Sequence, residues 1–198
     1  MGDRWLSRHN RDKSGSRQEV RIIGGNWRRR KLAFAGLPGL RPTPDRVRET
    51  LFTWLQFELP GSQVLDLFAG SGVLGFEALS RGARRAVMVE TAPRAFRDLQ
   101  ASKNMLKADL AELVLSDALS YLQGSPNSPF QVVFVDPPFQ ADLYKDTLNA
   151  VVERGWVDKD SLIYLEADVE LVPQWPKGWT PYRQLEAGNL VATLLRSL

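Results

Sequence analysis

From Gln63 onward the chain alternates short apolar runs with stretches of helical spacing, and this alternation restricts the possible folds more than any other feature. Residues 64–68, 86–90, 112–116, 132–136 and 162–166 read as strands, while 75–81, 93–106 and 143–154 carry helix-like apolar spacing. Strands that alternate with helices build a mostly parallel sheet, because each helix carries the chain back to start the next strand on the same side. After Glu166 the rhythm changes. Residues 182–186 and 190–195 flank Gly188-Asn189, a turn too short for anything but antiparallel neighbours. The expected fold is α/β, a parallel sheet covered on both faces and finished by an antiparallel hairpin.

The part before this sheet has a different character. Residues 1–48 carry a net charge of +9, so the remainder of a chain whose total is +3 must sum to −6. A basic arm is joined to an acidic body. Residues 1–18 form a polar, basic tail expected to be flexible. In residues 19–58 the β-branched run from Val20 to Ile23 meets Gly24-Gly25, then Trp27 and the cationic run Arg28-Arg29-Arg30-Lys31, which suggests a small hairpin displaying cations. Arg21, Arg28, Arg29, Arg30, Lys31, Arg41 and Arg46 are the candidate phosphate contacts, with Trp27 available for stacking. A helix should follow to about Glu58, capped by Thr43, with Pro44 in its first turn and Asp45 at the positive end of its dipole. Residues 59–198 then form the catalytic domain.

Composition removes several chemistries. There is no cysteine, hence no disulfide, thiolate metal site or Cys nucleophile, and the one histidine, His9, lies in the polar tail. No metal site is expected. No apolar run is long enough to span a membrane, so the protein is expected to be cytoplasmic.

The strand at 64–68 runs directly into Ala69-Gly70-Ser71-Gly72-Val73-Leu74-Gly75, a glycine loop that opens a helix. This spacing also satisfies the dinucleotide fingerprint of nicotinamide-dependent oxidoreductases. Asp66 argues against that reading, because a carboxylate just before the loop would repel a pyrophosphate, whereas it can accept hydrogen bonds from the ammonium of a methionyl group. A cationic sulfonium cofactor, S-adenosylmethionine, suits it better. Glu90 closes the second strand, where it can accept from ribose hydroxyls. Asp117 follows the third, where an acceptor can reach an adenine amine. Each could instead be a helix cap.

Asp136-Pro137-Pro138-Phe139 follows the apolar run at 132–135. Two prolines stiffen the turn and withhold two amide donors, leaving free carbonyls beside a carboxylate and a ring. Methylation of an exocyclic amine requires such a loop, since the site must accept from the amine's N–H groups and favour a tetrahedral nitrogen. Asp136 and the Pro137 carbonyl are the candidate acceptors, and Phe139 would stack on the unstacked base.

With these residues in place the chain resembles the class I methyltransferases of the amino type, and more narrowly the bacterial 16S rRNA guanine-N2 methyltransferase family known as RsmD. The narrower resemblance rests on Arg21-Ile22-Ile23-Gly24-Gly25, Leu40-Arg41-Pro42-Thr43, the run from Asp45 to Phe52, Phe68-Ala69-Gly70-Ser71-Gly72 and the run from Val133 to Phe139. It implies a Rossmann-like sheet with an N-terminal hairpin. It also implies transfer from S-adenosylmethionine to one guanine of 16S rRNA, on the RNA or the assembling 30S subunit, by an enzyme expected to be monomeric. Asp66, Phe68, Gly70 and Gly72 fall on the family's cofactor loop, Glu90 on its ribose position, and Asp136 to Phe139 on its catalytic loop. Competing readings are a DNA or RNA adenine or cytosine amino-methyltransferase, which would use the same two loops, and a non-catalytic RNA-binding module.

Overall fold

A computed structural model describes residues 17–35, 43–137 and 141–198. Arg41, Pro138, Phe139 and His9 lie outside the described residues.

Among the described residues, nine strands and five α-helices follow in chain order. They are β1 (Arg17–Arg21), β2 (Lys31–Ala35), α1 (Asp45–Trp54), β3 (Gln63–Asp66), α2 (Val73–Ser80), β4 (Arg85–Glu90), α3 (Pro93–Leu106) and β5 (Ala111–Leu115). Then come α4 (Ala118–Leu122), β6 (Val132–Val135), α5 (Ala141–Glu153), β7 (Leu162–Asp168), β8 (Trp179–Ala187) and β9 (Leu190–Ser197). β1 and β2 pair antiparallel, and the other seven form one sheet in the order β5-β4-β3-β6-β7-β9-β8. β3 to β7 are mutually parallel where they pair, and β9 runs antiparallel between β7 and β8. The expected mixed Rossmann-like sheet and both hairpins are therefore present.

The period-2 rule sorts the parallel strands onto two cores. Val64, Ala86, Met88, Phe134 and Tyr164 face α1, α2, α3 and the hairpin, whereas Leu65, Val87, Val89, Val133, Val135 and Leu165 face α4 and α5. The hairpin buries Val20, Ile22, Leu32 and Phe34 in the first of these cores, together with Leu51, Phe52 and Leu55 around α1. A two-stranded ribbon is marginal alone, and shared burial is what holds this one. Its mounting is also polar. The fully buried Glu77 of α2 accepts from the backbone N–H groups of Ile23 and Gly24 at 2.7 Å each and from Arg81 Nε at 2.7 Å. The equally buried Arg48 of α1 stands 3.9 Å from Glu77, donates to the carbonyls of Arg21 and Thr43, and pairs with Asp45. Ser80 completes the joint by accepting from Trp27 N–H and donating to the Gly24 carbonyl.

Several local expectations need correcting. β1 ends at Arg21, short of Ile22 and Ile23, although Ile22 still bonds the backbone of Arg29 and Arg30; a 3-10 turn follows at Gly25–Trp27, and Arg29 adopts φ +70 in the tight return to β2. The Trp27 ring is partly buried against the core, so packing claims surface that was expected to serve stacking. Pro44, not Thr43, is the N-cap of α1, and its side chain has no acceptor to offer the helix, while Thr43 lies buried at the edge of the cavity described below. The helix ends at Trp54, and the chain turns through Leu55 and Leu59 instead of continuing to Glu58.

Candidate active site

The C-terminal ends of the parallel strands surround a cavity of about 730 Å³. It sits where the strand order reverses between β3 and β6, the position at which open α/β sheets bind ligands. Carboxylates line it. Asp66 ends β3, Glu90 ends β4, Asp117 follows β5, Asp136 follows β6, and Glu166 and Asp168 end β7. Among the described lining residues there is no lysine, arginine or histidine.

The glycine loop forms one wall. Gly72 sits at φ +76, and a Cβ there would come within 2.4 Å of Leu99 and 2.7 Å of Phe76, so both its backbone angle and its surroundings require glycine. Gly75 lies against Met88, where a Cβ would approach the sulfur to 2.5 Å, which lets α2 pack directly on the sheet. Its N–H donates to Asp66 at 3.2 Å.

Asp66 is 2% exposed, and burial pushes its pKa up to about 7 despite backbone hydrogen bonds from Gly75 and Phe68. Glu90 accepts from Gly70 N–H at 2.8 Å and Ala92 N–H at 2.7 Å, tying the glycine loop to the start of α3. Each carboxylate oxygen has a second acceptor site left for a ligand on the cavity side. Asp117 does cap a helix, accepting from Ser120 N–H at 2.9 Å, while it also lines the cavity. The helix-cap reading is thus correct for Asp117, and the ligand reading is compatible with it.

Asp136 and Glu166 are side by side, because Val135 pairs with Leu165 in register and each acid is the next residue along its chain, Asp136 just past β6 and Glu166 within β7. Burial, then the Glu166 and Asp66 charges, hold the Asp136 carboxyl well above the usual range. Burial also raises Glu166, opposed by hydrogen bonds from Thr43 and Tyr164 and by the Arg48 charge. The Tyr164 hydroxyl donates to Glu166 at 2.7 Å. Glu166 was not foreseen as a site residue, although its signal is the same as that of Asp66 and Asp136: an acid terminating an apolar strand.

The basic residues lie elsewhere. Arg28, Arg29, Arg30, Lys31 and Arg46 are exposed, and Arg21 and Lys31 flank a smaller cavity that shares Thr43 and Pro44 with the large one. The cationic hairpin therefore opens beside the acidic cavity. Two of its cations are already paired: Arg21 bonds Asp45, and Lys31 bonds Glu19, both at 2.8 Å.

A family model described as "Conserved hypothetical protein 95" matches residues 20–196. The protein named ribosomal RNA small subunit methyltransferase D in Escherichia coli is 46% identical over 182 residues, 91% of each chain. The Haemophilus influenzae protein of the same name is 41% identical over 173 residues, 86% of this chain and 90% of that one. The solved structure of the Escherichia coli yhhF protein superposes with a TM-score of 0.82 at 44% identity, covering 91% of this chain and 98% of that one. The matched residues take in α1 and all of the hairpin and sheet except the first three residues of β1 and the last of β9, and the chain belongs to this family, the RsmD family of the motif resemblance.

Proposed function

We propose that this protein is an S-adenosylmethionine-dependent methyltransferase that modifies the 2-amino nitrogen of a guanine in 16S rRNA. The observation that carries the reading is the cavity of strand-end carboxylates without a cation, opening beside a cationic hairpin. Six acids would repel a dinucleotide pyrophosphate, whereas they suit a ligand bearing an ammonium and a base presenting N–H donors.

The residues fit the cofactor. The cavity is of small-molecule size, Gly70 and Gly72 adopt positive φ in the loop beneath it, and Asp66 is a buried acceptor with no cationic partner among the described residues. Asp66 would hold the ammonium, Glu90 the ribose hydroxyls and Asp117 the adenine amine, with Phe68 against the bound molecule. When bound, S-adenosylmethionine supplies an electrophilic methyl group. Asp136 and the Pro137 carbonyl accept hydrogen bonds from the guanine amine, which draws its lone pair out of the ring and stabilises the charge that develops on nitrogen. Pro138 and Phe139 complete the loop, the ring stacking on the flipped base. Arg28, Arg29, Arg30, Lys31, Arg41 and Arg46, with Arg21, hold backbone phosphates. The reading places the enzyme in the cytoplasm as a monomer that acts on the RNA or the assembling 30S subunit.

The test is transfer of labelled methyl from S-adenosylmethionine to 30S particles, 16S RNA and DNA from a strain lacking the endogenous enzyme, with nucleoside analysis. N2-methylguanosine is expected. Label in 6-methyladenine or 4-methylcytosine would overturn the base assignment, and RNA binding without label would favour a non-catalytic module.

A further inference from the structure

Glu166 is placed to act on the acceptor base, and its placement goes beyond what filling a core requires. It is 2% exposed, lines the cavity, and stands beside Asp136 on the neighbouring parallel strand. Adjacent strands run about 4.8 Å apart, so the two carboxylates can meet neighbouring donors on one edge of a single planar base. Glu166 has its own support: Tyr164 donates to one oxygen at 2.7 Å, and Thr43 and the Arg48 charge favour its ionised form. No salt bridge to Glu166 occurs among the described residues, so its carboxylate is fixed in place but not neutralised. A buried carboxylate held as an acceptor in this way is costly unless a ligand supplies donors.

We propose that Glu166 selects guanine by accepting a hydrogen bond from the ring N1–H while Asp136 accepts from the adjacent 2-amino group. The inference rests on the methyltransferase reading above and assigns the base selection to a residue outside the double-proline loop. On this edge guanine presents two contiguous donors. Adenine and cytosine place a ring acceptor beside their amines, which would face the Glu166 oxygen and be repelled.

Glutamine at this position separates selection from support. Glu166→Gln keeps an oxygen for Tyr164, but its amide can turn a donor toward the base. The experiment uses 16S rRNA ligated with either guanine or 2-aminopurine at the nucleotide the wild-type enzyme labels, assembled into 30S particles. 2-Aminopurine keeps the reactive amine and presents an acceptor at N1. The wild-type protein should favour guanine in kcat/KM, and Glu166→Gln should compress that preference about tenfold or more, in part by a gain on 2-aminopurine. Tyr164→Phe, which loosens the carboxylate, should compress it less, and it carries the test if thermal unfolding shows Glu166→Gln to be misfolded. A guanine preference unchanged in the folded variants, with rates falling equally on both substrates, would overturn the assignment. Failure of the wild-type protein to label guanine would instead overturn the underlying reading.

Discussion

Two clusters of buried charge lie on the same face of the sheet and differ in one respect. Where the hairpin is mounted, Glu77 has three hydrogen-bond donors and Arg48 in attendance, and Arg48 itself bonds two carbonyls and Asp45. At the cavity, Asp66, Asp136 and Glu166 are close enough for Asp136 to feel both other charges, and burial raises the pKa of each. The first cluster is internally satisfied and builds structure. The second has hydrogen-bond donors for Asp66 and Glu166 but no ion pair among the described residues, which is a common condition of a site whose counter-charges arrive with ligands.

The comparison breaks first, and most strongly, at the mounting. Glu77→Ala leaves two backbone donors and Arg81 Nε without their acceptor and removes the countercharge beside the buried Arg48, and should cost about 3–5 kcal/mol in denaturant unfolding. A loss below about 1 kcal/mol would mean that the apolar contacts alone hold the hairpin.

A smaller effect belongs to the cavity. Asp66 has a raised pKa of about 7 in the free protein, so it must lose a proton before it can accept from an ammonium. Cofactor affinity should therefore rise with pH through 7 and level off above it, being about tenfold weaker at pH 6 than on the plateau. Titration calorimetry in buffers of different ionisation enthalpy should show proton release below pH 7, and Asp66→Asn should abolish both effects. A flat profile in the wild-type protein would remove Asp66 from the cofactor site.

The smallest expected effects lie on the exposed face of the hairpin. Removing Arg28 or Arg30 should lower the salt dependence of RNA binding by about 0.7–0.9 per lost contact. Arg21 and Lys31, already engaged by Asp45 and Glu19, should change it less. Equal slopes for all four would show that these pairs open on binding.

The sheet could be read from sequence because its signals are local. Short apolar runs, a glycine loop and a two-residue turn each announce themselves within ten residues. The acids that end strands were equally visible, and Asp66, Glu90, Asp117 and Asp136 all reach the cavity. Glu166 escaped because no loop motif follows it, and only the register with β6 brings it beside Asp136. Thr43 was misassigned for a related reason. A threonine before Pro44 has a local use as a cap, yet it lies buried on the same cavity as Glu166, more than 100 residues away in sequence. The Glu77–Arg48 joint was invisible for the same cause, since a glutamate within an apolar helix gives no hint of donors from another element. Local rules locate what a segment does alone, and long-range polar pairs appear only once the packing is known.

The most direct test of the difference between the two clusters is the pair of effects produced by Asp136→Asn, a change that keeps shape and removes charge. An acid whose folded pKa lies above its unfolded value costs stability as pH rises from the unfolded pKa toward the folded one. At pH 7 the amide should therefore unfold at the same or a higher temperature than the wild-type protein, while methyl transfer to 30S particles falls by about 100-fold or more. A variant that loses stability yet transfers methyl at a near-normal rate would show that Asp136 belongs to the architecture and not to the chemistry.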